Sequence, residues 1–117
     1  MDSLLELLFQ HKISLLFSNE LLQEIAVTIQ KPKLKRHFGM NALEEMLTAF
    51  EPYIEIIEVN TLVEVCRDPK DNFLLALAKD GKADFLITGD ADLLVLKKYA
   101  STKIITYTDF IMGDYIL

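Results

Sequence analysis

Three stretches of the sequence place carboxylates at spacings that can do chemistry. Gly89-Asp90-Ala91-Asp92 follows the apolar run Phe85-Leu86-Ile87-Thr88, and Asp68-Pro69-Lys70-Asp71 opens a helical pattern. Glu24 lies one to two turns into a helical pattern that begins after Ser18. Clustered carboxylates repel, and they stay ionised together only when a cation neutralises them. Hard oxygen donors favour Mg²⁺ or Mn²⁺, and Mg²⁺ uses few carboxylates and leaves positions open for a phosphate. Such a cation activates water and stabilises a leaving oxygen, so this donor set suits phosphodiester hydrolysis. The same residues also have structural readings. Asp90 and Asp92 can cap a helix at Leu93, and Asp68 and Asp71 beside Pro69 can form a turn and a cap. Glu24 can be a solvated helix residue.

The elements around these acids alternate between helix and strand. Apolar residues at Leu4, Leu5, Leu7 and Leu8 predict an amphipathic helix ending near His11. Residues 13–17 read as a buried strand. Ser18 can cap the next helix, about Asn19 to Gln30, which Pro32 ends. Asn41 to Phe50 is helical and closed by Pro52, and Ile54 to Val59 is a β-branched strand. A helix over 71–79 stops at Gly81. A strand over 85–88, a short helix over 93–99, a strand over 104–106 and a last helix from about Thr108 complete the chain. Strands that look apolar on both faces, alternating with helices, predict an α/β fold with a parallel sheet covered by helices. Ligands bind at the carboxyl ends of strands in such folds, which is where Asp90 and Asp92 lie.

Composition bounds the rest. The 117 residues suit a single domain over 1–117, with no repeat, low-complexity tract or linker. An apolar fraction of 51% with 26% charged residues excludes a disordered chain. No apolar run reaches the ~20 residues of a membrane helix, so no membrane partner is expected. The acidic first residues do not look like a signal peptide. The single Cys66 excludes an internal disulfide and suits a cytoplasmic location, and a buried small hydrophobe is its expected role. Met40, Met46 and Met112 sit on apolar patterns and are expected to pack inside.

The net charge is −6. Nucleic-acid binding by bulk charge is therefore excluded, and any such binding must use a local basic patch or bound cations. Lys31, Lys33, Lys35 and Arg36 form the basic cluster, with His37 and Phe38 beside them. They read either as a solvated connector or as a patch that guides RNA, with Phe38 able to stack on a base.

The blocks Cys66-Arg67-Asp68-Pro69-Lys70-Asp71-Asn72-Phe73-Leu74-Leu75-Ala76-Leu77-Ala78 and Ala83-Asp84-Phe85-Leu86-Ile87-Thr88-Gly89-Asp90-Ala91-Asp92-Leu93-Leu94 resemble the second half of a PIN domain. The likeness is to a bacterial and archaeal branch of toxin components of toxin–antitoxin systems, relatives of VapC-type ribonucleases. Ser18–Glu24, Lys31-Pro32-Lys33 and the ending 104–110 resemble that branch as well. The resemblance implies a three-layer α/β/α sandwich and Mg²⁺- or Mn²⁺-dependent cleavage of RNA by an acid cluster. It assigns Glu24, Asp71 and Asp90 as catalytic metal ligands, with Asp92 as accessory ligand and Thr88 and Asp68 supporting. It also implies an antitoxin partner.

One departure follows from the same resemblance. PIN domains begin with a central strand ending in an Asp-Thr-Asn-like motif, whereas this sequence starts at Met1 with a helical pattern. The expectation is a sheet lacking that strand and its Asp. A gap or unpaired edge would then lie between the strands at 13–17 and 85–88, which invites self-association into a homo-oligomer. Two functions stay open at this point: a metal-dependent endoribonuclease, or a catalytically inactive PIN-like module that self-associates or binds an antitoxin.

Overall fold

The structure, a computed structural model, describes residues 3–113. Its elements in chain order are α1 (Ser3–Phe9), β1 (Leu15–Phe17), α2 (Asn19–Thr28), α3 (Pro32–Lys35), α4 (Ala42–Phe50), β2 (Ile54–Ile56), α5 (Asn72–Asp80), β3 (Phe85–Ile87), α6 (Ala91–Leu94), β4 (Lys98–Tyr99), β5 (Thr102–Ile105) and α7 (Tyr107–Met112). Short 3-10 turns at Glu51–Tyr53 and Pro69–Asp71 lead into β2 and α5. The fold is α/β, as the alternation predicts. No described helix is long and apolar enough to cross a membrane.

The strands form two sheets. β1 pairs with β2 in parallel, with Leu15 opposite Ile54 and Phe17 opposite Ile56. The second sheet has the order β3-β5-β4. There β3 runs parallel to β5, with Leu86 opposite Ile104, and β4 is antiparallel to β5. Parallel neighbours cannot be joined by a tight turn, so helices make the crossovers: α2 to α4 between β1 and β2, and α6 between β3 and β5. No ladder joins β1 to β3 among the described residues.

The core sits beside the carboxylates. α5 carries four consecutive buried residues, Leu75, Ala76, Leu77 and Ala78. Leu75 and Leu93 have no exposed surface, and they pack in one cluster with Val63, Cys66, Ala76 and Ile104. By contrast α2, α3 and α4 contain no fully buried residue. The half of the domain that carries Asp71, Asp90 and Asp92 is therefore the densely packed half, which is what a preorganised site needs.

Several boundaries differ from the sequence expectation, each for a local reason. Pro32 does not merely end α2; it starts α3 at the first helical position, where its missing N–H costs nothing. Gly81 follows α5 with an ordinary right-handed φ of −85°. The left-handed residue is Lys82, φ 53°, and the Ala83 N–H returns to the Ala78 carbonyl at 2.9 Å. Gly81 sits instead in a close-packed spot, since a Cβ there would lie 2.7 Å from Leu16 Cδ1 and 3.0 Å from the Leu77 carbonyl and would make its neighbours shift. The helix expected over 93–99 is the shorter α6. Lys97 and Ala100 adopt positive φ of 61° and 52°, and the chain folds back as a β4–β5 hairpin. Cys66 is buried as expected, but Met40 and Met112 are 95% and 80% exposed and take no part in the core.

Candidate metal centre

The acids lie on two neighbouring loops, each shaped by its own side chains. At the end of β3 the Thr88 N–H donates to the Ile105 carbonyl at 3.0 Å, which carries the strand pairing one residue further. Thr88 Oγ1 then accepts the Asp90 N–H at 3.0 Å, and Asp90 Oδ1 accepts the Asp92 N–H at 2.8 Å. The Asp90 carbonyl accepts the Leu93 and Leu94 N–H groups and so starts α6. The capping role anticipated for Asp90 is thus real. On the second loop Asp68 Oδ1 accepts the Lys70 N–H at 3.1 Å and caps the 3-10 turn. Asp71 stands at the cap position of α5, yet its side chain caps nothing.

The two loops are tied together by the residues just before them. The Cys66 N–H donates to Asn72 Oδ1 at 2.9 Å, and Cys66 Sγ lies 3.5 Å from the Asp92 carbonyl. The Arg67 guanidinium reaches the Ala91 carbonyl at 3.3 Å and Asp92 Oδ1 at 2.9 Å.

The result is that one carboxylate oxygen each from Asp68, Asp71 and Asp92 lie within 4.8 Å of one another. Asp71 Oδ2 is buried and has no hydrogen-bond donor among the described residues. Burial, a side-chain hydrogen bond with Asp90, and the charges of Asp90, Asp68 and Asp92 push the Asp71 carboxyl up from 3.8 to about 6. Ionised, Asp71 faces the carboxylates of Asp68, Asp90 and Asp92. A buried acceptor without a donor is costly. A small hard cation resolves both the orphaned oxygen and the repulsion, and an all-oxygen donor set fits Mg²⁺ or Mn²⁺. The residues present therefore fit the metal.

The expected site residues divide into two groups. Asp71, Asp90 and Asp92 come together with Thr88 behind them, and Asp68 is in the oxygen group itself instead of merely supporting it. Glu24 is exposed on α2 and does not belong to that group. Lys31, Lys33, Lys35 and Arg36 are all exposed around α3, and Arg36 Nε lies 3.4 Å from His37 Nε2. The sequence pattern assigns Arg67 no role. The signal the sequence offers is a cation immediately ahead of Asp68 and Pro69.

Comparison with known proteins identifies the family. The family model described as PIN domain matches residues 1–92, a span that holds all the acids named above. An uncharacterized protein of Methanocaldococcus jannaschii is 40% identical over 95 residues, which cover 80% of this chain. The chain spans 61% of the length of that curated relative. No solved structure matches.

Proposed function

The chain belongs to the PIN domain family, and on that premise we propose that it is a divalent-metal-dependent endoribonuclease of the toxin type. Family membership supports a nuclease-type function. The observation that carries the metal dependence is the buried, donorless Asp71 Oδ2 beside Asp68 and Asp92.

In this reading Asp71, Asp68 and Asp92 hold the cation, which is Mg²⁺ or Mn²⁺. When bound, the cation supplies Lewis acidity toward water and charge compensation at the leaving oxygen. Asp90 orients Asp92 by accepting its amide, and Thr88 fixes Asp90 in the same way. Lys31, Lys33, Lys35 and Arg36 bind backbone phosphates of single-stranded RNA, and the exposed Phe38 offers a stacking face. The toxin role and its antitoxin partner rest on the sequence likeness of residues 66–78 and 83–94. The single free Cys66 suits work in the cytoplasm.

The test is cleavage of an end-labelled single-stranded RNA by the purified chain in Mn²⁺ and in EDTA, beside an Asp71→Asn variant. Cleavage that needs Mn²⁺ and disappears in the variant supports the proposal. Absence of cleavage, or equal cleavage by the variant, overturns it.

One observation favours the second reading, a self-associating module without catalysis. β1 and β3 each present an edge with no ladder to the other among the described residues, and open edges pair with other chains. Light scattering on the purified chain separates the two readings: a stable oligomer with no cleavage belongs to the module.

A further inference from the structure

Arg67 contacts the acid group directly, and the proposed reaction gives it no part. Its guanidinium lies 2.9 Å from Asp92 Oδ1 and 3.3 Å from the Ala91 carbonyl. Asp68, Asp71 and Asp90 have no ion-pair partner among the described residues. The direction of the side chain is set from behind. Cys66 is buried, its amide is held by Asn72 Oδ1 at 2.9 Å, and its Sγ lies against the Asp92 carbonyl. Arg67 is thus launched from a fixed point toward Asp92, while the pair stays wet, with the two side chains 59% and 39% exposed. A wet pair of this kind is weak and exchanges easily.

We propose that Arg67 is the resident counter-cation of Asp92: it keeps that carboxylate within the acid group in the metal-free protein, and an arriving divalent cation must displace it. The inference rests on the metal-site reading above and adds a positioning residue that also sets metal affinity. The charge arithmetic favours exchange. One guanidinium offsets one of several carboxylates, whereas a divalent cation carries twice the charge and approaches oxygen to about 2.1 Å. The guanidinium and the cation also repel across Asp92, so holding both raises the energy of the bound state.

The experiment is a Mn²⁺ titration followed by the spectroscopic signal of the free ion. It uses the full chain as wild type, Arg67→Ala, Asp92→Asn and the double variant, and needs no catalysis. Competition for Asp92 predicts that Arg67→Ala tightens Mn²⁺ binding by roughly two- to fivefold, the scale of a half-exposed ion pair. The same change made in the Asp92→Asn background should leave affinity nearly unaltered. Arg67→Gln, which keeps the stem and a donor, provides the same comparison if the alanine variant does not fold, as judged by thermal melting in EDTA. An equal gain in both backgrounds overturns the proposal, because it reports only a removed charge. Weaker or unchanged binding in Arg67→Ala overturns it too. Failure of the wild type to bind Mn²⁺ is a different result: it overturns the metal-site reading, and this inference with it.

Discussion

The Asp90 carboxylate accepts the Asp92 amide at 2.8 Å. One oxygen of Asp90 is thereby committed to its own turn, and Asp92 is the member of that loop whose oxygen joins Asp68 and Asp71. A helix cap thus frames the acid group. The structural and the chemical readings of Asp90 are therefore compatible.

The first prediction concerns which acids hold the metal. Asp71→Asn, Asp68→Asn and Asp92→Asn should each weaken Mn²⁺ binding at least about tenfold, the lower end of what outer-sphere changes already cost. Glu24→Gln should change it less than about twofold, because Glu24 is exposed on α2 and outside the oxygen group. Calorimetric Mn²⁺ titration of the four variants checks this. A Glu24→Gln loss equal to that of Asp71→Asn would restore the set that the resemblance implied.

Two aspartates give opposite pH dependences of stability, measurable by denaturant unfolding in EDTA. Asp71 is raised from 3.8 to about 6, first by burial and then by Asp90. The stability it allows is full below pH ~4 and is lost as pH rises through about 6. Asp71→Asn should remove this slope and stabilise the metal-free protein at neutral pH, on the order of 1 kcal/mol after solvent screening.

Asp80 behaves in the other sense. Its carboxylate accepts the Thr61 hydroxyl and the amides of Asn60 and Thr61, and these bonds hold its carboxyl below the ordinary value. Its contribution is present above the unfolded carboxylate value and fades as pH falls through the lowered one. Asp80→Asn should abolish that acid-side loss. A wild-type profile without an acid-side slope would contradict the assignment.

Leu75 on α5 is fully buried, in the cluster it shares with Cys66, Leu93 and Ile104. Leu75→Ala should cost about 2–5 kcal/mol through a cavity directly behind the acid loops, lowering Tm by roughly 10 °C or more. A thermal melt showing a shift under a few degrees would mean that this core is not the scaffold described.

Replacing Lys33, Lys35 and Arg36 by Glu should weaken binding to any single-stranded RNA and reduce the salt dependence of the affinity. Stability should be nearly unchanged, since all three are exposed. Filter binding across a salt series reads both effects. An unaltered salt slope would make α3 a plain connector.

The acid loops were legible because each adjoins an element with an unambiguous pattern. Phe85–Ile87 is a continuous apolar run followed by Gly89, and α5 announces itself by the apolar run from Phe73 to Ala78 after Asp71. Ser18 capping α2 was legible for the same kind of reason: its hydroxyl accepts the Leu21 amide at 3.1 Å, three residues on. What escaped depends on partners distant in sequence. The β4–β5 hairpin is made by Ile104 donating to the Lys97 carbonyl, with Lys97 and Ala100 bent into positive φ, residue types that do not advertise a turn. Gly81 reads as a stop, but the close packing around it involves Leu16, far up the chain. Asp68 and Arg67 acquire their places only when the 66–72 and 90–92 loops meet.

Diffraction from crystals soaked in MnCl₂, with data taken at the Mn absorption edge, tests the central claim most directly. The account predicts an anomalous peak within about 2.5 Å of Asp71 Oδ2, shared with Asp68 and Asp92, and with the Arg67 guanidinium moved off Asp92. No peak at Asp71, or a peak held by other residues, would contradict it.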